Sequence, residues 1–101
     1  MTEWYAIMAE DRPDSLAARK AHRPAHLARL EALRNAGRLL VAGPHPAIDS
    51  PEPGPAGFSG SLIVAGFASL QDAEDWAAAD PFRLNGVYAK IVVKPFIKVM
   101  P

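Results

Sequence analysis

The chain reads as an α+β domain, a four-stranded antiparallel sheet with two helices on one face. Three observations predict it. Apolar residues fall in four short blocks rich in Val, Ile and aromatics, the stretches after the first and third switch to helical spacing, and the order is strand, helix, strand, strand, helix, strand. At 101 residues the expectation is one domain over 1–101, because a compact domain takes roughly 100 to 150 residues.

The first block, Trp4-Tyr5-Ala6-Ile7-Met8-Ala9, is short and apolar and stops at the turn-forming Glu10-Asp11-Arg12-Pro13-Asp14. It reads as a buried strand. Over residues 15–36, Leu16, Leu27, Leu30 and Leu33 keep helical spacing among Arg, Lys, Glu and Ala; Asp14 stands where a cap belongs and Gly37 where a left-handed stop belongs. Pro24 interrupts this helix. In a helix interior proline removes an amide donor and clashes with the carbonyl four residues back, costing ~3 kcal/mol, whereas at a first helical position it is tolerated. A kink or break near Arg23 is expected either way.

Residues 38–42, with Leu39, Leu40 and Val41, form the second strand, ended by Gly43-Pro44. Residues 44–57 hold five of the ten prolines and read as a loop joining two strands of one sheet. The third strand covers residues 58–67, with the run Leu62-Ile63-Val64-Ala65. Ser69 and Asp72 then resemble a capping box, and Leu70, Ala73, Trp76, Ala77 and Asp80 lie along a short helix that Pro81 ends or bends. After Asn85-Gly86, residues 87–93 make the fourth strand, with 94–99 trailing from its edge.

This order is the split βαβ, or ferredoxin-like, pattern, with both helices on one sheet face. Trp4, Tyr5, Tyr88 and the strand Val and Ile residues leave little polar surface for the opposite face. A second copy packed sheet against sheet would cover it, so a homodimer is expected.

Composition narrows the partners. Eleven Lys plus Arg balance eleven Asp plus Glu, so no basic field draws nucleic acid or an acidic membrane surface. The absence of cysteine removes disulfides, thiolate metal sites and thiol nucleophiles, and fits a cytoplasmic setting. The opening Met1-Thr2-Glu3-Trp4 does not resemble a signal peptide. No apolar run approaches the roughly 18 residues of a membrane span.

Chemistry centres on the three histidines, whose unperturbed titration lies near neutral pH. His26 precedes Leu30 and Leu33 on their face of the helix, so it points toward the core or a pocket beneath it. Two readings stay open: a buried histidine satisfied by a backbone carbonyl, or a general acid/base. Asp80, at the end of the second helix over the same sheet face, is its candidate partner. A carboxylate on one imidazole nitrogen fixes the tautomer that proton transfer uses. Asp80 bonding to amides of the Pro81-Phe82 turn is the alternative.

His22 and His26 have the i, i+4 spacing of zinc ligands, but Pro24 lies between them and a third ligand must come from His45 or a carboxylate, so no metal is assigned. His45, between two prolines, reads as solvated or as lining a pocket mouth. Of Arg19, Arg23 and Arg29, Arg23 stands one turn before His26 and is the best placed to bind an anionic substrate. Ser61 can donate a hydrogen bond to a ligand. Gly57-Phe58-Ser59-Gly60-Ser61 fails to complete a Gly-x-Ser-x-Gly elbow and lacks the Gly-x-Gly-x-x-Gly spacing. Neither acyl transfer nor any cofactor is implied.

Five segments taken together resemble the YCII-related (YciI-like) family: Arg23-Pro24-Ala25-His26-Leu27-Ala28-Arg29-Leu30, Gly37-Arg38-Leu39-Leu40-Val41-Ala42-Gly43-Pro44, Gly57-Phe58-Ser59-Gly60-Ser61, Ala79-Asp80-Pro81-Phe82 and Val92-Val93-Lys94-Pro95-Phe96. The resemblance implies a ferredoxin-like fold dimerising as an α+β barrel, with a site centred on a histidine and an aspartate. These match His26 and Asp80, with Arg23, Ser61 and Pro81 around the same pocket. The implied activity is lyase- or isomerase-like acid/base chemistry on a small cyclic or enolisable substrate. The other reading is a non-catalytic module for small-molecule binding or interaction, with His26 and Asp80 as a structural hydrogen bond.

Overall fold

A computed structural model describes residues 3–101. Strand β1 (Glu3–Asp11) leads into helix α1 (Leu16–Asn35), followed by β2 (Leu39–Pro46), a 3₁₀ turn at Gly54–Ala56 and β3 (Phe58–Phe67). Helix α2 (Leu70–Ala78), the short α3 (Pro81–Leu84) and β4 (Tyr88–Phe96) complete the order. The sheet order is β2-β3-β1-β4 and every neighbouring pair is antiparallel. This is the expected ferredoxin-like α+β fold. No helix among the described residues is long and apolar enough to cross a membrane.

The two-residue period of the strands decides what faces what. Tyr5 pairs with Ala65 and Ile7 with Ile63, and these side chains join Leu30 and Leu33 of α1 and Ala73 and Ala77 of α2 in the main core. Further along the same face Ala9 pairs with Ser61 and Asp11 with Tyr88. A smaller cluster of Ala9, Phe82, Val87 and Tyr88 fills that end. Alternate positions carry Trp4, Ala6 and Met8 opposite Gly66, Val64 and Leu62 on the other face. Tyr5 and Tyr88 therefore belong to the helix-covered core, and only Trp4 of the three aromatics named for the open face is on it.

Three local expectations are corrected. Helix α1 runs unbroken through Pro24. The carbonyl that loses its partner there belongs to Lys20, which is exposed, so water can satisfy it. Asp14 does not cap α1; it takes a positive φ of 57°, and Ser15 is the N-cap, without a side-chain hydrogen bond. Strand β2 continues to Pro46 instead of ending at Gly43. It is an edge strand, and a proline whose missing amide would face outward costs the ladder nothing.

The helix stops follow expectation. Gly37 adopts φ 71° directly after α1, and the Ser69 hydroxyl accepts the Asp72 amide at 3.0 Å to open α2.

Candidate functional site

Helix α1 buries one stripe, Arg19, His26, Leu30 and Leu33. Spacings of seven, four and three residues keep these side chains on one face of a 3.6-residue helix, so the leucines enter the core while the two polar residues meet the far end of the sheet. After α2 ends, Asp80 turns extended and becomes the N-cap of α3; its Oδ1 accepts the Phe82 amide at 2.8 Å. Pro81 takes the first position of α3, where its fixed φ fits and no amide is needed.

This turn aims the Asp80 carboxylate at α1. His26 Nδ1 lies 2.9 Å from Asp80 Oδ1 and 3.0 Å from Oδ2. With Nδ1 facing a carboxylate, the neutral ring is held as the tautomer that donates from Nδ1 and leaves Nε2 as the accepting nitrogen. Both alternatives for Asp80 are realised together, since it receives the turn amide and the imidazole at once. The Phe82 ring stacks on the imidazole at 4.0 Å with planes 12° apart, so orientation is fixed from the side and from behind. Asp80 is 2% exposed and His26 7%.

A cavity of about 170 Å³ opens in front of this pair, lined by Arg19, Arg23, His26, Leu30, Ser61 and Phe82 among others. Among the described residues Nε2 has no hydrogen-bond partner and is not sealed from solvent. A larger crevice of about 610 Å³ lies between α2, α3 and β4, but neither His26 nor Asp80 borders it. Its size does not mark it as the site, because the charged residues that line it, Arg12, Glu74, Arg83 and Lys90, are all exposed and unoriented by burial.

Of the residues expected at the pocket, His26, Arg23 and Ser61 line the cavity. Asp80 stands behind His26. Pro81 does not reach the cavity wall and acts through α3, whose Phe82 does. His22 and His45 are not among the lining residues, and among the described residues no three His, Asp or Glu side chains gather into a metal-binding group.

A second buried network was not anticipated. Arg19 Nε and Nη2 donate to the Asp11 carboxylate at 2.9 and 3.0 Å, and Nη2 also reaches Gly60 O at 3.1 Å and Ser61 Oγ at 2.9 Å. The guanidinium lies over the rings of Phe82, at 4.8 Å, and Phe58, at 5.1 Å. Tyr88 completes the group. Its buried hydroxyl has no hydrogen-bond partner, and burial pushes the phenol up to about 12, partly offset by the nearby Ser61 hydroxyl. The sequence signal that would have found Arg19 is its position seven residues before His26 on the same helical face.

Arg29 ties the helices together behind the pair. Its Nη2 donates to the Trp76 carbonyl at 2.8 Å and its guanidinium stacks on the Trp76 ring at 4.2 Å. Burial lowers its pKa, an effect that the Asp80 charge opposes.

Fold and site thus define a ferredoxin-like α+β protein with an oriented His–Asp pair at a small cavity. The chain belongs to the YCII-related family, whose domain profile matches residues 3–97. It is 57% identical over 95 residues to protein YciI of Escherichia coli, covering 94% of this chain and 97% of that one. An uncharacterized protein of Haemophilus influenzae is 54% identical over 96 residues, covering 95% and 98%. Among solved structures, 5-chloro-2-hydroxyhydroquinone dehydrochlorinase (TftG) from Burkholderia phenoliruptrix, in complex with 2,5-dihydroxybenzoquinone, superposes with a TM-score of 0.81 at 27% identity over 94% of each chain. PA3566 from Pseudomonas aeruginosa shares the fold alone, with a TM-score of 0.54 at 10% identity over 99% of this chain and 97% of that one.

Proposed function

We propose that the protein is a cofactor-independent enzyme in which His26 is the general acid/base and Asp80 orients it, acting on a small cyclic or enolisable substrate. The observation that carries the reading is the His26 ring itself. Its Nδ1 is bound to a buried carboxylate, Nε2 has no partner among the described residues, and the residue lines a cavity. In this reaction Nε2 takes a proton from the substrate, and the ring becomes an imidazolium held against Asp80. The electron pair left behind enters the conjugated system. It then either expels an anion, as in a lyase, or is protonated at a new position, as in an isomerase.

Acid/base action of this kind contributes about 10²- to 10⁴-fold, and holding the substrate in the cavity supplies the rest. Of the lining residues, Ser61 positions a substrate oxygen, and the exposed Arg23 adds positive charge that draws an anionic one. The reading is supported by the likeness to a dehydrochlorinase whose bound ligand is a single ring, a molecule of the size this cavity admits. The open sheet face with Trp4, Met8 and Leu62, extended by Val41 at 51% and Phe96 at 41% exposure, supports a homodimer packed sheet to sheet.

A screen of small phenols, lactones and chlorinated hydroquinones tests the proposal. Any turnover found is expected to vanish in His26→Ala while the circular dichroism spectrum is retained. Undiminished turnover in a folded His26→Ala protein removes the assignment.

A further inference from the structure

We infer that Arg19, with the Ser61 hydroxyl, forms an anion subsite beside His26, and that its ligand is a ring-sized molecule bearing an ionised oxygen: a phenolate, enolate or carboxylate. The inference rests on reading this cavity as the substrate site and names the class of substrate it takes.

Arg19 is 7% exposed, and its hydrogen bonds are divided unequally. Nε and Nη2 are fully engaged by Asp11, Gly60 and Ser61. Nη1 donates to nothing among the described residues and is not shut away from solvent, although Arg19 borders the cavity. A buried guanidinium fixed along one edge with the other edge open is a preorganised donor, because its planar fork loses little further freedom on binding. Ser61 is arranged in the same sense. Its oxygen accepts from Arg19 while the residue lines the cavity, so its rotatable O–H can turn to a ligand oxygen or to the neighbouring Tyr88 hydroxyl.

The charge distribution favours an anion over a neutral ligand. The cavity wall carries the guanidinium groups of Arg19 and Arg23 and no carboxylate. Both nearby carboxylates stand behind the groups they orient, Asp11 behind Arg19 and Asp80 behind His26. Arg23 is exposed and has no ion-pair partner among the described residues, so it adds diffuse charge at the mouth, whereas Arg19 supplies a fixed direction. The Phe82 ring contacts both His26 and Arg19. Proton acceptor and anion donor are thus held on one shared ring at the same cavity, whose volume of about 170 Å³ leaves room for a single-ring ligand.

Benzoate and benzyl alcohol, which share a ring and differ in charge, test this by calorimetric or NMR titration at neutral pH. The unmodified protein is expected to bind benzoate at least about tenfold more tightly, the worth of one hydrogen bond to a charged group. The double variant Asp11→Asn/Arg19→Gln, which removes both buried charges together, should lose that preference, and Arg23→Gln should keep most of it. The titration reads binding without turnover, so failure of the proton-transfer reading and failure of this one are separable. Equal binding of the two ligands by the unmodified protein, or no binding of either, overturns the inference without any variant. A preference that survives loss of Arg19 and disappears with Arg23→Gln also overturns it.

Discussion

Replacing Asp11 by Asn removes one charge from a pair whose side chains are 2% and 8% exposed, leaving the Arg19 guanidinium buried without its counter-ion. Breaking a buried pair by deleting one partner costs about 3–5 kcal/mol. Arg19 keeps its bonds to Gly60 O and Ser61 Oγ, which places the expected loss near the lower end, about 3 kcal/mol. For a domain with total stability of about 5–15 kcal/mol, that is a large shift that still leaves a folded protein. Deleting both charges in Asp11→Leu/Arg19→Met removes the buried ions altogether, and such replacements are often neutral or stabilising. Urea unfolding followed by the fluorescence of Trp4 and Trp76 gives the cost of Asp11→Asn and all four corners of the cycle built from Asp11→Leu, Arg19→Met and their combination. The double variant should recover to within about 1 kcal/mol of the parent, giving a coupling of at least about 2 kcal/mol. Costs that simply add, or an Asp11→Asn protein as stable as the parent, would refute the claim that this pair is a closed buried unit.

Gly60→Ala should destabilise by several kcal/mol in the same assay, because a Cβ there runs into the Ala9 carbonyl oxygen of the neighbouring strand. Pro24→Ala at its exposed helix position should stabilise by about 1–3 kcal/mol, restoring an amide donor to α1; a loss would mean that the proline is needed there. Tyr88 gives a pH signature. Its phenol, raised from 10.0 to about 12, stays protonated in the folded chain where the unfolded chain has already ionised. Its contribution is therefore complete below pH 10 and declines from there to pH 12, by up to about 3 kcal/mol. Tyr88→Phe should flatten that part of the stability profile, and an unchanged slope would contradict the burial of the hydroxyl.

The sheet, its order and the helix stops could be read from the sequence because each rests on a local rule: a short apolar run within 58–67, helical spacing from Leu16 to Leu33, a left-handed glycine at Gly37. The meeting of His26 with Asp80 was legible as a possibility, since both helices had to cover one face. Only the turn at Pro81 decides that the carboxylate serves the amide and the imidazole together. Pro24 misled because propensity speaks of an isolated helix, and the packing of Leu30 and Leu33 carries α1 through it. The Asp11–Arg19–Ser61 network was hidden for a different reason. A charged residue at a strand end and another on a helix each look solvated alone, and they become partners only through the pairing of β1 with β3, which sets Ala9 beside Ser61.

The central claim is that His26 presents an unprotonated Nε2 to a ligand while Asp80 holds its other nitrogen. Nitrogen-15 NMR of the His26 imidazole, recorded with and without 2,5-dihydroxybenzoquinone, observes this directly. The account predicts that the neutral ring carries its proton on Nδ1 and none on Nε2, and that Nε2 shifts when ligand is added. A proton resident on Nε2 with Nδ1 bare, or a ring that does not respond to ligand, would contradict it.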